Sequence, residues 1–250
     1  MFQGYYTLGS AMISQNRNLN VISNNMANSS TPGYKADKYI SSTFRDEMLY
    51  RSGNKTPNRK TAIGGVTAIQ ATNARVTNYE QGGYDITEGK LDFALNGNGF
   101  FVIQTNNGTV YTRNGSFITD EQGYLTLPAV GRVMGTNGPI QLTTDNIVVN
   151  TDGTIWSDDD AQTYYGAIQL ADFENYADMI KGDNGTFTAE GVAARQADAT
   201  VNQGKLERSN ISAMDEMTSM MSAQRSLQAA AQLIKIYDQL DAKTVQLGNT

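Results

Sequence analysis

The chain has 250 residues, a net charge of −6, and neither cysteine nor histidine. Its length allows one large hydrophobic core or two smaller ones, and its acidic balance argues against a nucleic-acid partner, which needs a basic face. Without His or Cys the usual nitrogen and sulfur ligands of zinc are missing. Ser–His and Cys–His nucleophile pairs are excluded as well, while a carboxylate-only site for Mg²⁺ or Ca²⁺ stays open.

The opening MFQGYYTLGSAMISQNRN lacks a basic start and a continuous apolar run, so it does not read as a Sec-type signal peptide. No run approaches the roughly 18 apolar residues of a membrane-spanning helix. Instead the first segment carries a heptad stripe: Tyr5, Leu8, Met12, Gln15, Leu19, Ile22 and Met26 alternate spacings of three and four, with only Gln15 polar. The stripe predicts a helix over 5–27. It stops at Asn28-Ser29-Ser30-Thr31, which favour caps and turns. Thr31 precedes Pro32 and is pushed out of the helical region, and Pro32-Gly33 suits a type II turn.

From Tyr34 to Ala62 the pattern is weak. Phe44, Met48 and Leu49 are compatible with one helical turn, and the polar SGNKTPNRKTAIGG (52–65) reads as a linker or extended arm. From Val66 to about Tyr165 short alternating runs (VTAIQA, DFAL, FFVIQT, TVYTR, YLTL, IVVN, TIW) sit between Gly/Asn/Asp turns, the signature of an all-β body. Residues 167–187 read as one strand, a short helix and a turn. A last helix is expected over 212–247, with Ser212 and Asp215 as a capping box. Its expected seam is Ala223, Ala230, Leu233, Tyr237, Leu240, Thr244 and Leu247, flanked by a second row of Met220, Leu227 and Ile234. Apolar residues on more than one side predict more than one neighbour. The fold class is therefore α+β: N- and C-terminal helices expected to pack against each other, with an all-β body between them in sequence. The expected domains are 1–35 plus 208–250 (helical), 36–65 (arm) and 66–207 (β).

Isolated motifs give little chemistry. GNGFF (97–101) lacks the third glycine and the following helix of a dinucleotide fingerprint and reads as a tight turn feeding a buried strand. Asp92, Asp120, Asp145 and Asp152 lie in Gly/Asn turns, without the spacing of an EF-hand loop, and read as solvated turn carboxylates. SDDDAQ (157–162) reads as an acidic loop, and Arg113 as a structural anchor. No catalytic, cofactor or metal residue emerges. The terminal helices either close the domain within one chain or form an assembly module. Open head-to-tail contacts of their spare apolar faces would give a helical filament.

Several stretches together resemble the flagellar rod and hook protein family of bacteria. ANSSTPGYK (27–35) is similar to that family's N-terminal signature. LDFALNGNGFFVI (91–103) with YTRNGSFITDEQGYLTL (111–127) is similar to the central one, followed by VMGTNGPIQL (133–142). VNQGKLERSNISAMDEMTSMMSAQRSLQ (201–228) is similar to the C-terminal one, with Leu227 where the family more often has an aromatic residue. The resemblance implies a structural rod subunit of the proximal or distal type, with no catalytic step and no cofactor. It implies terminal helices forming an inner coiled-coil domain and a β outer domain. It also implies unfolded export by the flagellar type III apparatus without a cleaved signal, and polymerisation in the basal body with copies of itself and other axial proteins, without membrane insertion. The implied assembly residues are Tyr5, Leu8, Met12, Leu19, Ile22, Met26, Met220, Leu227, Leu233, Ile234, Tyr237, Leu240 and Leu247. Asn28, Thr31, Pro32, Gly33 and Tyr34 form the motif turn. Both termini are expected to be frayed in the free subunit and to order on assembly. The competing readings are a carbohydrate-binding or hydrolase β domain, suggested by 13 Tyr and the turn carboxylates, and an assembly factor that stays outside the filament.

Overall fold

The computed structural model describes residues 2–43, 46–52, 60–67, 70–159, 163–189 and 191–248. It is α+β, with a helix near each end and strands between. Two compact units are formed. The first takes the chain up to Met26, Asp37–Val76 and the chain from Ser212; the second takes Ala27–Ala36 and Thr77–Ile211.

The first unit holds α1 (Phe2–Ala27), strands β1 (Asp37–Thr43), β2 (Asp46–Ser52), β3 (Lys60–Thr67) and β4 (Gln70–Thr77), and α2 (Ala213–Gly248). Strands β2 and β3 pair antiparallel from Asp46 opposite Thr67 to Ser52 opposite Lys60, with a bulge between Leu49 and Tyr50. β1 pairs with β4. The helical turn expected at Met48 and Leu49 is thus strand; Phe44 lies outside the described residues. Cross-strand pairing with the KTAIGGVT strand overrides weak local helical preference here. The segment expected as a linker or arm contributes β1, β2 and most of β3, while 53–59 lie outside the described residues. At the start of α2, Ser212 Oγ accepts the Asp215 amide at 3.4 Å, and Asp215 and Glu216 place negative charge at the positive helix end.

The second unit is built mainly of strands. Its strands are β5 (Tyr84–Ile86), β6 (Phe93–Asn96), β7 (Phe100–Thr105), β8 (Gly108–Thr112), β9 (Ile118–Thr119), β10 (Leu125–Leu127), β11 (Gly131–Gly135) and β12 (Gly138–Pro139). They continue as β13 (Ile147–Val149), β14 (Thr154–Ser157), β15 (Tyr164–Ala167), β16 (Leu170–Asp172), β17 (Met179–Lys181), β18 (Thr186–Ala189), β19 (Arg195–Gln196), β20 (Thr200–Gln203) and β21 (Lys205–Glu207). The largest sheet runs β17-β18-β8-β7-β11-β10-β9, with β16 also on β7. Where one strand, a short helix and a turn were expected over 167–187, there are three strands and two 3₁₀ turns. Asn175 caps the first turn by accepting the Ala177 amide.

Alternation along FFVIQT explains the packing. Successive side chains point to opposite faces, so Phe101 and Ile103 enter one core with Phe93, Leu125, Val133 and Ile155. Phe100 enters the other with Phe173, Met179 and Phe187. Phe101 stacks edge-on against Phe117, centroids 5.2 Å apart. Phe101→Ala should cost about 3–5 kcal/mol of unfolding free energy in urea titration. Ala at the exposed Ile118 should change it by less than about 0.5 kcal/mol.

Candidate functional site: a helix seam and a buried ion cluster

Within the first unit, α1 and α2 lie antiparallel. The Tyr5 hydroxyl donates to Asp238 at 2.8 Å and Asp241 at 3.2 Å, and its ring lies 5.6 Å from that of Tyr237. At the other end Asn25 Nδ2 donates to Glu216 Oε1 at 3.0 Å. Partial burial, followed by the two carboxylate acceptors, pushes the Tyr5 hydroxyl above its ordinary value, so it remains a donor. Asn25 is buried and also exchanges two bonds with the Asp37 backbone: its Nδ2 donates to the carbonyl at 2.8 Å, and its Oδ1 accepts the amide at 3.0 Å.

The more buried line of α2 is Glu216, Met220, Ala223, Leu227, Ala230, Ile234, Tyr237 and Asp241, alternating spacings of four and three. Of the expected assembly residues, Ile22 is buried, and Tyr5, Leu8, Met12, Leu19, Met26, Met220, Leu227, Ile234 and Tyr237 are half-buried. Leu233, Leu240 and Leu247 instead lie on the exposed side, at 46%, 54% and 78% exposure. The line facing α1 therefore keeps Ala223, Ala230 and Tyr237 of the expected seam and takes the flanking row of Met220, Leu227 and Ile234 in place of Leu233, Leu240 and Leu247. Met214, Met217 and Met221 form a second exposed apolar row. Residues missed from the sequence are polar: Asn25, Glu216, Asp238 and Asp241 carry directional contacts that an apolar-stripe search passes over.

Within the second unit the motif turn is held against the end of β21. Thr31 donates its amide to the Asn28 carbonyl at 3.1 Å, closing the turn. Gly33 has φ +67°, and a Cβ there would fall 2.3 Å from the Arg113 carbonyl carbon, so only glycine fits. Its amide donates to the Glu207 carbonyl at 2.7 Å. Tyr34 is buried under Lys181, whose ammonium sits 3.7 Å from the ring centroid.

Lys35 follows, and its side chain is 1% exposed. It donates to Glu207 Oε1 at 2.6 Å and to the Glu80 carbonyl at 2.8 Å. The same Oε1 accepts the Gly82 amide at 3.1 Å. Glu207 Oε2 accepts from Arg113 Nη1 at 3.2 Å, while Arg113 Nη2 donates to the Gly97 carbonyl at 2.7 Å. Burial drives the Lys35 ammonium below the ordinary lysine range; Glu207 counters this and Arg113 adds to it by repulsion. One buried carboxylate thus holds two buried cations. Asn210 adds a second tie: its Oδ1 accepts the Ala36 amide at 2.7 Å, and its Nδ2 donates to the Asn78 carbonyl at 2.9 Å.

The turn carboxylates have structural partners. Asp120 accepts the amides of Tyr124 and Gln122 and a bond from Arg132; these outweigh desolvation and hold it below its ordinary value. The Thr154 hydroxyl and amide hold Asp152 low, Asp145 accepts from Thr119, and Asp92 bridges to Ser116 through its backbone. Asp159 accepts from Ser157; residues 160–162 of the acidic loop lie outside the described residues. Among the described residues no cluster of three acidic groups is placed to hold a metal.

Comparison with known proteins decides the family. The chain is 32% identical over 268 residues to the flagellar basal-body rod protein FlgG of Caulobacter vibrioides, covering 98% of this chain and 99% of that one. It belongs to the flagellar basal-body rod protein family. It is also 30% identical over 266 residues to the FlgG rod protein of Bacillus subtilis, covering 99% of both. To the FlgF rod protein of C. vibrioides it is 28% identical over 235 residues, covering 92% and 91%. Residues 6–35 match the flagella basal body rod protein family, 94–157 the flagellar hook protein FlgE/F/G D1 domain, and 202–247 the flagellar basal body rod FlgEFG protein C-terminal family. Each matched segment supplies one member of the ion cluster: Lys35, Arg113 and Glu207.

Glu207→Gln leaves two buried cations without a counter-ion and should cost about 3–5 kcal/mol in urea unfolding. Gly33→Ala should also destabilise the fold, because the new methyl meets backbone rather than a yielding side chain. A Gly33→Ala melting curve matching the parent's would contradict this packing.

Proposed function

We propose that this protein is a structural subunit of the bacterial flagellar basal-body rod, exported unfolded by the flagellar type III apparatus and polymerised into a helical axial structure that transmits torque. As a member of a family of structural rod proteins, it is not an enzyme. The full-length similarity to rod proteins, with all three matched segments meeting at one buried carboxylate, carries the reading. Its partners are copies of itself and other axial flagellar proteins. The terminal helices form the inner, coiled-coil layer and the β unit the outer one.

Helix α2 supports an assembly role. It uses one line against α1 and leaves Leu233, Ile236, Leu240 and Leu247 exposed on one side and Met214, Met217 and Met221 on another. Burying such rows against neighbouring subunits stabilises a polymer at roughly 25 cal/mol per Å² of apolar surface, before ordering costs. In the free subunit the helix pair is held by half-buried contacts, so it frays and orders only beside neighbours.

Leu240→Asp tests this. It should leave urea stability of the monomer within about 0.5 kcal/mol while abolishing incorporation into basal bodies and motility. Normal motility would exclude that face from the assembly interface. Amide exchange on the monomer should be fast in 1–26 and 213–248 and slow in the β unit. Strong protection of both helices in the monomer would contradict ordering on assembly.

A further inference from the structure

The segments flanking the two helices run side by side in the same direction inside the β unit. At one end the Gly33 amide donates to the Glu207 carbonyl at 2.7 Å, and Lys35 Nζ reaches Glu207 Oε1 at 2.6 Å. At the other end the Asn210 amide donates to the Tyr34 carbonyl at 3.4 Å, and the Ala36 amide donates to Asn210 Oδ1 at 2.7 Å. Residues 33–36 therefore advance alongside 207–210. Helix α1 ends just before the first segment, at Ala27, and α2 begins just after the second, at Ala213.

That order has a mechanical consequence. Tension arriving through the α1 side pulls 33–36 toward its N-terminal end. Tension arriving through the α2 side pulls 207–210 toward its C-terminal end. The two parallel segments are then loaded in shear, so their bonds must break together rather than one after another. Lys35 and Glu207 are 172 residues apart in sequence, and everything between them lies outside the direct line of force while the bonds hold.

We propose that residues 33–36 and 207–210 form a shear clamp that carries tension between the roots of the two helices and shields the intervening chain from it. The physiological use of the clamp rests on the rod reading, but the clamp itself is a property of the single chain. Both ends of the clamp are reinforced. Glu207 is fixed by Arg113 and the Gly82 amide, Arg208 donates its amide to the Gly83 carbonyl at 2.7 Å, and Lys181 donates to the Lys35 carbonyl at 2.6 Å. Burial of Lys35 and Glu207 keeps water from replacing the ion pair during loading.

The absence of cysteine permits a direct test. Cysteines introduced as Ser30→Cys and Ser212→Cys, both at exposed positions, attach handles on either side of the clamp in the full-length chain. Pulled at constant force in optical tweezers, the protein should stay short until one rupture, which then releases roughly 600 Å of chain. Lys35→Met keeps the Glu207–Arg113 pair and should raise the rupture rate at least about tenfold, the factor expected for losing a charge-assisted bond. Asn210→Ala should raise it as well. Lys90→Ala, at an exposed ion pair outside the clamp, should leave it unchanged. Stepwise lengthening before the main rupture would overturn the proposal. So would parental rupture rates in both Lys35→Met and Asn210→Ala variants that fold by circular dichroism. Neither result would remove the chain from the rod, because incorporation into basal bodies is read separately.

Discussion

A carboxylate with no exposed surface cannot stay charged in a protein interior unless cations and amides replace its water. Glu207 is such a group, and much of the β unit is arranged around meeting that demand. Lys35 comes from just past the first helix, Arg113 from the loop after β8, and the Gly82 amide from the stretch before β5. Four remote stretches of chain must be in place before the charge is satisfied. Replacing such clusters by apolar side chains is often neutral or stabilising elsewhere, so its value here lies in specifying one arrangement. An ion cluster of this kind rejects a misregistered turn more sharply than an apolar contact does.

The helices follow a different rule. Their mutual seam is narrow and partly polar, with Tyr5 on Asp238 and Asp241 and Asn25 on Glu216. Directional bonds set the antiparallel register, while larger apolar side chains such as Leu240 and Leu247 are left outside it. A helix built only to close its own subunit would place those leucines inward. On the proposed rod reading, those leucines are left for neighbouring subunits.

How far the residues announced this varies by element. The α1 stripe and its stop at Thr31-Pro32 were legible because heptad spacing and pre-proline sterics act locally. The buried character of FFVIQT was legible for the same reason. The β2–β3 pairing was not, because Met48 and Leu49 carry no clear period of their own and their partners lie beyond a polar stretch. The face of α2 was ambiguous: two rows seven apart compete, and small residues at Ala223 and Ala230 mark the close-approach line only once α1 is beside it. Arg113 was readable as an anchor. That Lys35 and Glu207 complete it was not, since a pairing 172 residues apart leaves no trace in spacing. Both lie within stretches whose family resemblance was visible, and in that form the cluster was present in the sequence without being recognisable as one.

The most direct test of the central claim is a double-mutant cycle between Lys35→Met and Glu207→Gln, read by urea unfolding of the full-length chain. If Glu207 is the group that holds Lys35, the double variant should be no less stable than Glu207→Gln alone, giving a coupling of the size seen for residues in one network, about 0.5–3 kcal/mol. Additive losses within about 0.5 kcal/mol would mean that the two residues act independently, and that the buried carboxylate does not organise the turn.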